Sequence, residues 1–404
     1  MVISMHARAC AVAFAGALAA CATPEQSSEE TATTESAVAT PAASLGWIAR
    51  PKIVNGTWHT CALRTDGSLG CWGGNIYGAL GDGTTADSRV PRAVPVGRAI
   101  DVATGYTHTC AVRAGGTVAC WGEGRDGEIG DGANVDRHWP STVVGIADAI
   151  AVATGTWRSC AIRRDHTVWC WGNDVLGGLG DGSHTSRNTP VQTVGITDAV
   201  AIAAGEDHAC VVRSGGGVRC WGRNQVGQVG DGTTIERDAP VDVVGITDAV
   251  AVAAAYAHTC VVKRDGTVRC WGANWYGMLG DGTTTNSLAP VTVGGVGSAV
   301  AIYATFLTTC ARLVDGTARC WGSNVFGQVG DGTTAGGLVA GTPSFSLFGR
   351  TFPLGGIVSI GGADASCALT VWGGAFCWGS NGSGQLGDGT LADHHRPAPV
   401  IGFP

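Results

Sequence analysis

Charged side chains are scarce in this 404-residue chain: they make up 14% of it, and their balance is acidic, with 25 Lys and Arg against 32 Asp and Glu and a formal charge of −7. An acidic surface repels phosphate backbones, which argues against nucleic acid as a partner. Also missing is any long stretch with apolar residues at helical spacing, and no apolar run is long enough to span a membrane as a helix. No Ser/His/Asp set, pair of catalytic carboxylates or phosphate-binding loop stands out, so the chain is read as a non-enzyme that needs no cofactor. What is abundant is glycine, 65 residues, beside a hydrophobic share of 45%. A chain of this length can bury a large core, and such a composition favours short strands joined by tight turns. The expected class is all-β.

The first twenty residues read as an export signal: Arg8, then the apolar run "ACAVAFAGAL", then "LAAC" ending at Cys21. That quartet resembles the lipobox of bacterial lipoproteins, which implies lipidation of Cys21; the alternative is a plain cleaved signal. Residues 22–46 hold few large apolar groups and many Ser, Thr, Ala and Glu, the composition of a disordered tether. The expected division is therefore signal peptide 1–20, lipidated cysteine and tether 21–46, and a folded domain 47–404. It places the protein in the bacterial cell envelope, or secreted, with the membrane reached through the lipid anchor only.

Self-similarity with a period of about 50 residues dominates the remainder, the mark of an array or a propeller. Cysteines open each repeat at 61, 110, 160, 210, 260, 310 and 367, and each is followed by C-x9-C, then Trp-Gly, then a G-x-x-G-D-G loop such as "GALGDG". Two cysteines, Cys10 and Cys21, stand outside this scheme. Nine intervening residues centre on Asp66, so the turn is most simply Thr65-Asp66-Gly67, ending at a position that needs positive φ. Glycine fits there without strain, and the one exception is His166. Counting outward, Arg64 faces Ser68 and Cys61 faces Cys71; if the former is the hydrogen-bonded closing pair, the cysteines form the closer, non-hydrogen-bonded kind, within disulfide reach. Seven bridges are expected: Cys61–Cys71, Cys110–Cys120, Cys160–Cys170, Cys210–Cys220, Cys260–Cys270, Cys310–Cys320 and Cys367–Cys377. Metal binding competes poorly, because His59, His108, His208 and His258 precede their cysteines by two residues but give way to Arg158, Thr308 and Ser366 elsewhere, and two thiols without a second C-x-x-C do not make a zinc site. No metal is expected.

Each repeat reads as four short strands, in the fifth "AVAVAAA" (249–255), "HTCVVKR" (258–264), "TVRCWG" (267–272) and "APVTV" (289–293). Seven such units describe a seven-bladed β-propeller of four-stranded antiparallel blades. "GYTHTCAV", "CWGRNQVGQVGDGTT" and "CWGSNGSGQLGDGT" closely resemble the repeat of the regulator of chromosome condensation family, over residues about 51–404. The resemblance implies the same seven-bladed fold. Whether the strand near "RPKIV" or the one near "PAPVI" closes the ring stays open. The last step is 57 residues, and the extra chain, 335–356, carries Phe345, Phe348, Phe352 and the single charge Arg350; it reads as a flexible side-loop or a blade-specific protrusion.

Antiparallel connections alternate ends, so the turn between strands one and two and the long loop between strands three and four share one end, opposite the cysteine hairpins. Both vary from repeat to repeat. Together they gather Trp58, Tyr77, Tyr106, Trp157, Tyr256, Trp275, Tyr276, Phe306 and Phe326, with Glu206, Asp207 and Asp126 among them. Rings with a few charges are what protein-binding hot spots are made of, so this end is the expected recognition face; the alternative places some of the rings in the core. The Gly-Asp-Gly aspartates, Asp82 through Asp388, read as turn-formers. The leading reading is a monomeric, lipid-anchored binding scaffold for a protein partner. Polysaccharide or cell-wall glycan is a second, since Trp and Tyr rings stack on sugars. The resemblance also implies a guanine-nucleotide exchange factor for a small GTPase, less in keeping with an export signal and with histidines absent from three repeats.

Overall fold

The computed structural model describes residues 49–347, 350–362 and 364–403, so the expected signal peptide, Cys21 and the expected tether lie outside the described residues. The described chain is all strand and turn. Strands β1 (Lys52–Asn55), β2 (His59–Leu63), β3 (Leu69–Gly73) and β4 (Ser88–Ala93) pair antiparallel in that order as the first blade. The pattern repeats as β5–β8 (99–142), β9–β12 (149–192), β13–β16 (199–242), β17–β20 (249–292), β21–β24 (299–341) and β27–β30 (357–399). In the fifth blade the strands are Ala249–Ala254, His258–Lys263, Val268–Gly272 and Ser287–Thr292, within two residues of the sequence reading. The fourth starts earlier because Ser287 already faces Gly272 across a bulge.

First strands pack on first strands around the ring, and the circle closes where β1 meets β27 (Ile357–Gly362) and β28 (Ala365–Thr370). Neither terminal strand enters the other's sheet. Ile53, Ala62 and Trp72 instead pack among Cys367, Leu369, Leu386 and Val400, and the Ile53 amide donates to Ser359 Oγ at 3.1 Å. Fourth strands form the exposed outer rim, as in β16 (Arg237–Asp242), while second and third strands are buried.

The cysteine hairpins follow their expected geometry. Arg64 N donates to Ser68 O and Gly67 N to Arg64 O, both at 2.9 Å; Gly67 has φ 84° and His166 φ 63°. Asp66 Oδ1 accepts from Ser68 N at 2.8 Å, fixing the turn from its own side chain. All seven disulfides join directly opposed residues with Cα atoms 4.0–4.1 Å apart. Each closes a short loop and contributes on the order of 2–3 kcal/mol.

Blade-to-blade contact is also repeated. The tryptophan after each second cysteine is fully buried, and its Nε1 donates to a carbonyl in the preceding blade's third-to-fourth loop: Trp271 to Gln228 O at 2.9 Å, Trp321 to Met278 O at 2.8 Å, and, across the closure, Trp72 to Gln385 O at 2.9 Å. Five of the seven loops that supply these carbonyls are built on buried asparagines, with Gly124 and Asp174 in their place in the second and third blades. Asn274 Oδ1 accepts from Leu279 N at 2.9 Å, and its Nδ2 donates to Thr283 O and Thr285 O at 3.1 Å. Asp281 accepts from Thr283 N at 2.9 Å, the turn-forming bond anticipated for the Gly-Asp-Gly aspartates.

Two sequence readings need correction. Opposite the glycine that faces His59 in the first blade, the seventh blade places Ala365, not Ser366; Ser366 aligns with Thr60, one residue on. The 335–356 segment is not structureless: β24 (Gly337–Gly341) is the sixth blade's own outer strand, and β25 (Ser344–Leu347) with β26 (Arg350–Pro353) makes a separate hairpin. Its cross-strand Phe345 and Phe352 rings stack at 5.8 Å, and Arg396 of the seventh blade's outer strand donates to Ser344 Oγ at 2.6 Å.

Candidate partner-binding face

The two variable connections do share one end, and the backbone ties them together there. The first residue of each third-to-fourth loop donates to a carbonyl in the first-to-second turn: Gly74 N to Trp58 O at 2.7 Å, Ala273 N to Ala257 O and Ser323 N to Leu307 O at 2.8 Å. At the other end each cysteine hairpin holds the linker to the next blade, as in Ala99 N to Gly67 O at 2.9 Å. Loop end and hairpin end are thus separate surfaces.

The rings sort into groups. Tyr256 lies 4.2 Å from Phe306 and 6.4 Å from Trp275, centroid to centroid, on the fifth and sixth blades. Beside them Trp275 is 46% exposed, Tyr276 48% and Phe306 37%, and Phe326 is similarly open. Of these rings Tyr256 packs on a small buried cluster of Ala257, Ala273 and Met278, beside Val226 and Leu307. Trp58 and Tyr106 meet edge to face at 6.3 Å on the first two blades, both partly exposed. Tyr77 is half-buried under the Arg125 guanidinium, 5.1 Å from its centroid. Trp157 is half-buried and stacks on no other ring among the described residues.

Charge occupies the arc between these groups. Asp126 is exposed. Asp207 is only 7% exposed, and its carboxylate is taken by Arg158 at 2.9 Å and Arg223 at 3.6 Å. Glu206 is partly open and pairs with Arg223 at 3.2 Å. Burial, and then the neighbouring Asp207 charge, push the Glu206 carboxyl up to about 7.

Arg158 is a residue whose importance single-position reading missed. It stands where other blades have histidine, wholly buried, and reaches into the fourth blade to donate to Glu206 O at 3.1 Å as well as to Asp207. Gly178 makes room: a Cβ there would lie 2.0 Å from Arg158 Nη1. The signal was in the alignment of repeats, because one seam has Arg158 where four blades have histidine, Gly178 where three have glutamine, Ala209 where the others have threonine or serine, and Asp207 where only the seventh blade, with Asp364, also has a charge. Glu128 was likewise overlooked. It occupies a glutamine position, is buried, accepts from Asp126 N at 2.9 Å, and is pushed by burial up to about 8, so it holds its proton at neutral pH.

The four histidines are seam residues. His59, His108, His208 and His258 are fully buried, with Nε2 2.8–3.0 Å from the hydroxyls of Thr109, Ser159, Thr259 and Thr309 in the next blade. Burial holds His59, His208 and His258 down at about 3 and His108 at about 4. They are therefore neutral and turned away from any partner. Among the described residues no group of His, Cys, Asp or Glu is arranged to hold a metal ion, and no helix is long and apolar enough to cross a membrane.

The family pattern of the RCC1-like domain matches residues 10–306, and that of the RCC1 repeat matches 299–328 and 373–404. The chain belongs to the RCC1-like family. Among solved structures it is similar to human WBSCR16, with a TM-score of 0.73 and 22% identity over 83% of this chain and 94% of that one. It is also similar to yeast RCC1 (Prp20) in its complex with Kap60, with a TM-score of 0.71 and 18% identity over 94% and 91% of the two chains. Prp20p from Saccharomyces cerevisiae gives 0.70 and 19% identity over 88% and 87%. No curated protein matches. At these identities the structural likeness establishes the RCC1-like fold, and the loop-end side chains are this chain's own.

Proposed function

We propose that this RCC1-like propeller is a non-catalytic binding scaffold outside the cytoplasm, held at a bacterial envelope membrane through lipid on Cys21 or secreted, and that it engages another protein through its loop end. The observation that carries the reading is the group of partly exposed rings on the fifth and sixth blades, Trp275, Tyr276, Phe306 and Phe326, at positions where the repeat imposes nothing. Aromatic anchors on a rigid support are the usual centres of protein interfaces. Use of the fold for protein contact has precedent in yeast RCC1, solved bound to Kap60, and in Prp20p, described by its binding to Gsp1p and histones. Seven disulfides support folding in an oxidising compartment. The domain plan that goes with this is a signal over 1–20, an anchor and tether over 21–46, and the propeller from 47.

Exchange-factor activity has less to support it, because the matching histidines are buried between blades. Sugar recognition by the same rings is the second reading, favoured by the open faces of Trp275 and Tyr276. Affinity capture after cross-linking in intact cells separates the two, comparing the native chain with a Trp275→Ala/Phe306→Ala variant. A protein partner retained by the native chain and lost by the variant is the expected result. A glycan with no protein partner would favour the second reading, and a protein partner equally retained by the variant would remove the loop end from the account.

A further inference from the structure

The loop end is markedly acidic. In the first-to-second turns and third-to-fourth loops that form it, the basic side chains are Arg125, His184 and Arg223, while every third-to-fourth loop carries its Gly-Asp-Gly aspartate and several carry further carboxylates. The hairpin end is more nearly balanced: Arg64, Arg113, Arg163, Arg213 and Lys263 open five of its turns, but Asp66, Asp165, Asp265 and Asp315 lie in its turns and Asp148, Asp198 and Asp248 pair with Arg163, Arg213 and Lys263 from the adjoining linkers. Net negative charge in this protein is therefore gathered at the end that bears the aromatic groups.

The charge there is also unevenly neutralised. In the second, third and fourth blades the outer strand begins with an arginine that pairs with the loop aspartate: Arg137 with Asp131 at 2.7 Å, Arg187 with Asp181 at 3.8 Å, and Arg237 with Asp231 at 2.6 Å. In the seventh, His394 takes that place beside Asp388. The first, fifth and sixth blades have Ser88, Ser287 and Gly337 there, so Asp82, Asp281 and Asp331 accept hydrogen bonds from their own loops, through Thr84, Thr283 and Thr333, and make no ion pair among the described residues, with the Arg396 guanidinium lying over Gly332 next to Asp331. Asp281 shares its loop with Trp275 and Tyr276, and Asp331 shares its loop with Phe326. The first blade, with Asp82 and Trp58, combines a loop aspartate free of an ion pair with an exposed ring, but the larger group of rings stands beside Asp281 and Asp331 on the fifth and sixth blades.

We propose that the fifth and sixth blades receive a basic protein segment, one in which Lys or Arg alternates with large apolar residues. Its apolar residues seat on Trp275, Tyr276 and Phe306, and its cations approach Asp281 and Asp331, with the aliphatic stems of Lys and Arg lying along the rings. The inference rests on the protein-binding reading above and adds the chemistry of the partner. Electrostatic complementarity of this kind chooses among partners and speeds encounter more than it adds affinity.

The test is a fluorescence-anisotropy titration of the full chain with three labelled peptides of one apolar pattern whose polar positions are all Lys and Arg, all Gln, or all Glu. The basic peptide is expected to bind at least about tenfold more tightly than the Gln peptide at low salt, to lose most of that advantage when salt is raised severalfold, and to leave the Glu peptide without measurable binding. Asp281→Asn with Asp331→Asn keeps both turn-forming oxygens and is expected to weaken the basic peptide about fivefold or more while leaving the Gln peptide unchanged. Asp66→Asn at the hairpin end is expected to change neither. Equal binding of basic and Gln peptides, or indifference to the double Asn variant, overturns the charge inference. If a protein partner is still lost on Trp275→Ala/Phe306→Ala, the aromatic docking face survives that result; if no partner depends on the rings, both readings fall.

Discussion

The seam between the third and fourth blades and the seam between the fourth and fifth occupy equivalent places and are held by different chemistry. In the latter, neutral His208 meets Thr259 at 2.8 Å, and Thr259 in turn donates to Gln228 O at 2.9 Å. In the former, a buried guanidinium pairs with Asp207 at 2.9 Å, and Ala209 stands where a hydroxyl would be. A neutral hydrogen-bonded seam tolerates loss of one partner at the cost of a bond and a small cavity. A buried ion pair does not, because the survivor is a charge without a counterpart.

That contrast can be broken directly. Arg158→Ala leaves Asp207 with only the longer Arg223 contact at 3.6 Å and is expected to lower unfolding stability by about 3 kcal/mol in a denaturant titration. His208→Ala in the neighbouring seam is expected to cost less, about 2 kcal/mol, by the same measurement. Converting the charged seam wholesale with Arg158→His, Gly178→Gln, Asp207→Ala and Ala209→Thr is expected to return stability to within about 1 kcal/mol of the native chain, where Arg158→His alone is not. Failure of the fourfold change to outperform the single one would show that these positions do not act as a unit.

Titration sharpens the comparison more gently. His208 has its folded value lowered from 6.5 to about 3, so below pH 6.5 the unfolded chain takes up the proton first, and stability falls as pH drops toward 3. The Arg158 seam supplies no corresponding proton uptake by its cation in that window. Glu128 acts in the other direction: its folded value is raised from 4.5 to about 8, the folded state holds the proton first, and stability rises as pH falls from 8 toward 4.5. Thermal melts across pH 4–8 are expected to show a shallower acid slope for His208→Gln and a shallower alkaline slope for Glu128→Gln. An unchanged profile in either variant would show that the side chain is not buried in the state described.

Most of the fold was legible because the repeat states it seven times. The C-x9-C spacing sets the hairpin register, and a turn glycine with positive φ at Gly67 follows from it. Ring closure was not legible, since Ile53 and Val400 meet through packing that no local pattern encodes. The β25–β26 hairpin was hidden because its strands are only four residues long and its exposed second strand shows no alternation of burial. At the loop end, sequence alternation located the rings but could not tell an open residue from a buried one: Trp275 is open, whereas Asp207, from the equivalent set of variable positions, is consumed by Arg158. Position within a repeat says which end a side chain reaches; burial depends on what the next blade puts beside it.

The central claim is that the variable loop end, and not the hairpin end, grips the partner. A photo-crosslinking amino acid placed at Tyr276 and, separately, at Trp372, which is 76% exposed on a hairpin at the opposite end, tests it in intact cells. A protein adduct from position 276 and none from 372 is the predicted result; an adduct from 372 alone would contradict it.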